Sequence, residues 1–204
     1  MPSAVRAQAR KAPAAPTAAS RKLDIVSLDL VEQDAKKVMT PGAYAFISGG
    51  VGDEWTLREN RRAFNDFPIL THRLAGIAAN DIDVGVDLLG HKLPYPMVVA
   101  PMGAHLFAHP DGEVASAAGA GAAGTLYQSS GASFRPLEDI AKATSGPKWF
   151  QLYFNADAGV TRSLLERARD AGYSAIIVTA DALGPGASDG FIRLGRPFPQ
   201  GMTF

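Results

Sequence analysis

The chain has 204 residues, 47% of them hydrophobic and 20% charged, enough to bury one core of ordinary domain size. Twenty basic and twenty acidic side chains cancel, so no global field draws the chain toward nucleic acid or an anionic membrane surface. The absence of cysteine removes disulfides, thiolate metal sites and a cysteine nucleophile, and no window approaches the ~18 consecutive apolar residues that a membrane span requires.

The first 22 residues carry five basic and no acidic side chains among Ala, Pro and Ser, and contain no apolar run long enough for a secretion signal. Residues 1–24 therefore read as a disordered basic tail, with a transit peptide as the weaker alternative, and the protein as soluble and cytoplasmic. From Ser27, "SLDLVEQDAKKVM" sets Leu28, Val31, Ala35 and Val38 on one face, with acids early and lysines late, as in a capped helix. Thr40 and Pro41 begin a second helix in the favoured order of cap and first turn. "GDEWTLRENRRAF" gives a third, polar enough to lie on a surface, and "DIDVGVDLLGHKLPYP" alternates apolar and polar residues around a turn at Gly90 and His91, the pattern of a hairpin.

After Pro96 the chain becomes regular. Apolar runs at 97–101, 125–128, 149–153 and 175–180 alternate with helical stretches, among them "VTRSLLERARDAGY" with Val160, Leu164, Ala168 and Ala171 on one face. That rhythm is the βα unit, and runs without polar alternation predict strands covered on both faces. An open doubly wound sheet and a (β/α)8 barrel share it. "APMGAHLFAHPDGE" lacks the GxGxxG turn of the open sheet's nucleotide site, which favours the barrel. A barrel takes eight strands and typically ~250 residues, so residues 25–204 read as the amino-terminal helical segment and about four βα units of an α/β (β/α)8 fold, a fragment of a longer protein.

Barrel chemistry sits in the loops that follow the strands. The conspicuous polar residues there are Gln128, Ser129, Ser130, Gln151, Tyr153, Thr179 and Asp181, with the small Gly103 after Met102. This largely neutral, hydrogen-bonding set suits a polar heterocycle better than a divalent metal. Gln151 and Thr179 lie in apolar strands, where a buried polar group must be paired, so internal pairing is the competing explanation. His105 and His109 stand four residues apart, but Pro110 follows and solvated or capping roles outweigh a metal. An aldolase or sugar-phosphate isomerase would call for a Lys or Glu at a strand end, whereas Lys148 precedes its strand and Glu113 falls in a helix.

"SGGVGDEWTLRENRRAFNDF", "PMVVAPMGAHLFAHPDGEVASAAGAGAAGT", "WFQLYFNAD" and "AGYSAIIVTAD" together closely resemble the FMN-dependent α-hydroxy-acid oxidases and dehydrogenases, the group of lactate oxidase and glycolate oxidase. The resemblance implies an FMN-binding barrel that oxidises a small-molecule 2-hydroxy acid to the 2-oxo acid, commonly as a homo-tetramer. It implies that the backbone of Pro101, Met102 and Gly103 meets the flavin ring and that Ser130, with Ser129 beside it, bonds the ring. It further implies that Gln151 and Thr179 address the polar edge of the isoalloxazine and that Tyr153 stands near the carbon bearing the substrate hydroxyl.

Two positions depart from that pattern. A tyrosine and an arginine that hold the substrate carboxylate in the family correspond to Phe46 and Ser188, and a bidentate cation is the strong form of carboxylate recognition. The resemblance also sets the family's base histidine, flavin-facing lysine and phosphate site after the fifth strand. The 204 residues alone are therefore expected not to turn over hydroxy acids, and a flavin-binding relative with altered substrate or without catalysis is the alternative.

Overall fold

The computed structural model describes residues 25–181 and 188–195. The tail expected over residues 1–24 lies outside the described residues, as do residues 182–187 and 196–204.

Three helices lead the fold: α1 (Leu28–Val38), α2 (Pro41–Ser48) and α3 (Trp55–Arg62). The Ser27 hydroxyl accepts from the Asp29 amide at 3.2 Å, and that of Thr40 from the Ala43 amide at 3.3 Å, so both predicted caps satisfy amides that a helix start leaves open. The predicted apolar stripe of α1 is not a core face here. Leu28, Val31 and Val38 are all exposed, because none of the described elements lies over that side of the helix.

A hairpin follows, β1 (Val86–Leu88) against β2 (His91–Leu93), antiparallel with Val86 opposite Leu93. It is shorter than the alternation of the sequence predicted, since Ile82 and Val84 remain exposed outside any strand.

The main sheet has β3 (Val99–Met102), β4 (Tyr127–Ser129), β5 (Lys148–Leu152) and β6 (Ala175–Val178), hydrogen-bonded in that order and parallel throughout. A doubly wound sheet reverses its strand order at a switch point. The order here never reverses, and the four strands are consecutive units of a (β/α)8 barrel. Helices α4 (Glu113–Ala122), α5 (Leu137–Lys142) and α6 (Ala158–Asp170) connect them, and a short α7 (Asp189–Arg193), absent from the sequence reading, follows β6.

The alternation of the strands sorts residues between two faces. Outward, Tyr127 packs with Ala117, Ala120 and Ile140, while Phe150 and Leu152 pack with Leu137, Ala168 and Tyr173. Inward, near the amino ends of the strands, Leu126 and Trp149 pack on Leu93 of the hairpin, with Val86, Leu88 and Ile177 against them. The hairpin thus closes the amino-terminal end of the inner face, and His91 joins it to the start of β6 through Ser174 at 2.8 Å. Cover on both faces holds for β5 but not for β6, whose Ile176 and Val178 are exposed, because β6 is an edge strand with none of the described helices over its outer face.

Two consequences are measurable. Phe150 is buried between sheet and helices, so Phe150→Ala lowers unfolding free energy by about 3–5 kcal/mol in a denaturant titration. On the surface, Arg167 of α6 donates two hydrogen bonds, at 2.7 and 2.8 Å, to Glu138 of α5 and holds its carboxyl down at about 2. A depressed carboxyl contributes stability above its unfolded value, and that contribution is lost as pH falls through about 2. Both side chains are more than one-third exposed, so solvent limits the pair to about 0.5–1 kcal/mol. Glu138→Gln costs that much near neutral pH, and the difference closes at the acid end.

Candidate functional site

The carboxyl ends of the four strands lie in register. Met102 pairs with Ser129, Ser129 with Phe150 and Phe150 with Ile176, so Gly103, Ser130 and Gln151 stand one step further along, on the opposite face. Gln151 is only 2% exposed, and its amide is shared between neighbouring strand ends. The carbonyl Oε1 accepts from the Ser130 hydroxyl and from the Gly131 amide, both at 3.0 Å, and Nε2 donates to the Thr179 hydroxyl at 2.8 Å. The Ser130 oxygen in turn accepts from the Ala132 amide at 3.1 Å. Three residues singled out separately in the sequence, Ser130, Gln151 and Thr179, therefore form one relay across β4, β5 and β6. Internal pairing, the competing explanation, is also present, and it leaves capacity over. Thr179 is half-buried and accepts from Gln151, so its own O–H proton remains to be donated, as does the second hydrogen of Nε2.

The loop after β3 lies against the loop after β4. A Cβ on Gly103 would sit 2.6 Å from the Ala132 carbonyl oxygen, so only glycine allows the two backbones to come so close. Ala104 follows with φ 63°, in the left-handed region, a conformation costing an alanine about 1–2 kcal/mol. Beyond these, Met102, Tyr153 and Phe154 are exposed at the same strand ends.

A buried carboxylate organises these loops. Glu113, the first residue of α4, is 0% exposed. Its Oε1 accepts from the His105 and Phe134 amides, both at 3.2 Å, and Oε2 from the Arg135 amide at 3.3 Å. Burial, and behind it the charge of Glu113, push the Tyr127 phenol up. In the sequence Glu113 shows only as a helical residue, which it is. The signal that could have found it is the preceding Gly112, whose φ of 57° and ψ of −131° suit glycine alone and turn the chain sharply into α4.

The two positions expected to depart from the family pattern, Phe46 and Ser188, have structural roles. The buried Ser188 hydroxyl accepts from the Phe191 amide at 3.1 Å and caps α7, and Ser188 bridges to Gly52. The Phe46 ring stacks on Phe107 with centroids 4.6 Å apart and meets Phe191 edge-on at 5.2 Å. These rings join α2 to the segments after β3 and β6, on the loop side of the sheet. Of the histidines, His105 bonds Ser116 at 2.9 Å and His109 accepts from the Asp111 amide at 3.1 Å. Ser129, next to the relay, lies instead beside the Tyr173 phenol on the helix side.

The family model described as FMN-dependent dehydrogenase matches residues 35–204. The chain belongs to the FMN-dependent dehydrogenase family. An L-lactate oxidase of Lactobacillus jensenii is 37% identical over 183 residues, which is 89% of this chain and 44% of that enzyme. Glycolate oxidase 3 of Arabidopsis thaliana is 34% identical, over 89% of this chain and 49% of that protein. Among solved structures, a lactate oxidase of Pediococcus acidilactici superposes with a TM-score of 0.83 at 35% identity, covering 87% of this chain and 49% of the other. The chain thus spans about half the length of the curated relatives it matches.

The donor set fits the cofactor that gives this family its name. An isoalloxazine is flat, uncharged over most of its ring, and edged by alternating carbonyl oxygens and ring nitrogens. A glycine that lets backbones approach, a hydroxyl proton still to be donated and a fixed amide answer those features without a charged group. Within the protein, Gln151→Leu leaves the Ser130 hydroxyl and the Gly131 amide without their acceptor, and denaturant unfolding should register a loss of about 1–3 kcal/mol.

Proposed function

We propose that this chain forms the flavin-ring side of an FMN-dependent oxidoreductase that converts a 2-hydroxy acid to the 2-oxo acid. The Ser130–Gln151–Thr179 relay carries the reading, because it sets neutral donors at adjacent strand ends in a chain of this family. Pro101, Met102 and Gly103 back the ring with main chain, Gln151 and Thr179 bond its polar edge, and Ser130, just past β4, offers the ring the one acceptor position its oxygen has left. What FMN supplies when bound is acceptance of two electrons from the carbon that carries the substrate hydroxyl. Tyr153, exposed beside the relay, orients that hydroxyl. None of His91, His105 and His109 is assigned as the proton-accepting base: His105 and His109 bond within the loop after β3 and the start of α4, and His91 bonds Ser174 at the opposite end of the sheet. The 2-hydroxy acid itself is favoured by the names of the relatives, L-lactate oxidase and glycolate oxidase.

A second reading is favoured by Phe46 and Ser188. Charge-assisted pairing is the strong way to hold a carboxylate, yet one of these residues packs into an aromatic cluster and the other caps a helix. On this reading the chain keeps the flavin and takes a less acidic 2-hydroxy compound, or performs no oxidation.

Quenching of FMN fluorescence on titration with the chain tests the first reading: saturable quenching supports it and none contradicts it. Thr179→Val, which removes one donor, weakens FMN binding about tenfold, the worth of one hydrogen bond. Tyr153→Phe leaves FMN affinity unchanged and weakens the shift that lactate binding, without turnover, produces in the bound flavin's spectrum. A spectrum that answers mandelamide and ignores lactate favours the second reading.

A further inference from the structure

We propose that Glu113 is a positioning residue, whose buried carboxylate fixes the loop after β3 against the loop after β4 and so sets the spacing of the flavin cradle. The proposal rests on the FMN reading above and goes beyond it by naming a residue that need not touch the flavin.

An acid at the first residue of a helix ordinarily earns its place by facing that helix's own open amides. Glu113 does otherwise. All three of its hydrogen bonds go to amides of other segments: His105 after β3, and Phe134 and Arg135 after β4. A fully desolvated carboxylate is costly unless every lone-pair direction is used, and here the partners are main-chain amides whose positions the group then dictates. Ser116, one turn along α4, bonds the His105 ring at 2.9 Å, so the first turn of this helix grips the loop after β3 at two points.

What those loops carry makes the grip matter. His105 follows the left-handed Ala104 and the close-packed Gly103, while Phe134 and Arg135 end the loop that begins with Ser130 and Gly131, the partners of Gln151. A path of short contacts therefore runs from Glu113 through the loop after β4 to the relay. Across the gap, Gly103 and Ala132 touch. If the carboxylate is removed, nothing described in α4 replaces its three acceptor contacts, and the two loops are free to separate while helices and sheet persist.

The test compares the full chain with Glu113→Ala, Glu113→Gln and, as a control destabilised elsewhere, Ile140→Val in the helix-side core. FMN affinity is read by fluorescence quenching, and amide exchange of residues 105, 134 and 135 by NMR without flavin. Glu113→Ala should weaken FMN binding by about tenfold or more and speed exchange at those amides. Glu113→Gln keeps one carbonyl oxygen and turns an NH2 toward a remaining amide, so it should fall between; it carries the comparison if the alanine variant does not fold. Ile140→Val should lower the melting temperature without changing FMN affinity. Equal FMN affinity in wild type and both Glu113 variants, or unchanged exchange at the three amides, overturns the proposal. If the wild-type chain fails to quench FMN, the flavin reading falls with it, and the exchange data still decide whether Glu113 holds the loops together.

Discussion

A single buried amide constrains the loop end of this fold. The Gln151 side chain is all but fully removed from water, and an amide in that position must find partners for its oxygen and its nitrogen or cost several kcal/mol. The partners come from just past the strand on either side, Ser130 and Gly131 after β4 and Thr179 after β6. Such pairing requires β4, β5 and β6 to be parallel, adjacent and aligned at their carboxyl ends. A slip of one residue in β5 would turn Gln151 toward the helices and bring Phe150 or Leu152 inward. The outer contacts resist the same slip, because Phe150 and Leu152 are seated among Leu137, Ala168 and Tyr173. Polar relay and apolar outer core therefore enforce one register from opposite faces of one strand.

The inner face is consequently divided along its length. Near the amino ends it is apolar and capped by the hairpin through Leu93, Leu126 and Trp149; near the carboxyl ends it is polar and bounded by loops. Those loops hold conformations that a chain does not adopt unaided, including a left-handed alanine and a contact too close for any residue but glycine. Strain of this kind persists where surrounding structure over-determines it, and the buried Glu113 carboxylate is the group that spans both loops. The resulting surface is largely neutral and hydrogen-bonding, which suits a flat polar ring better than a metal ion.

Much of this was legible in the sequence, for identifiable reasons. The βα period follows from apolar runs of strand length separated by amphipathic stretches, and both helix caps from the Ser27 and Thr40 positions, because these signals are local. The relay residues were legible as types, polar side chains in apolar strands, but not as a connected set, since the contact between Gln151 and Thr179 spans 28 residues. Glu113 was legible only as a helical residue, which it is, because its partners lie in two other loops and only the folded backbone brings them to one carboxylate. The exposed faces of α1 and β6 were missed for the opposite reason: periodicity shows which side of an element is apolar, not whether anything covers it. Phe46 and Ser188 stood out as departures, yet their roles in an aromatic cluster and a helix cap depend on α7, which the sequence reading did not contain.

In the proposed function, the Gln151 relay addresses the ring of FMN. The most direct measurement is the NMR spectrum of nitrogen-labelled FMN mixed with the wild-type chain and with Gln151→Leu. Ring-nitrogen resonances that shift on binding to the wild type, and return toward their free positions with Gln151→Leu, are the expected result. Resonances that stay at their free positions with the wild type, or shift identically with both proteins, would contradict it.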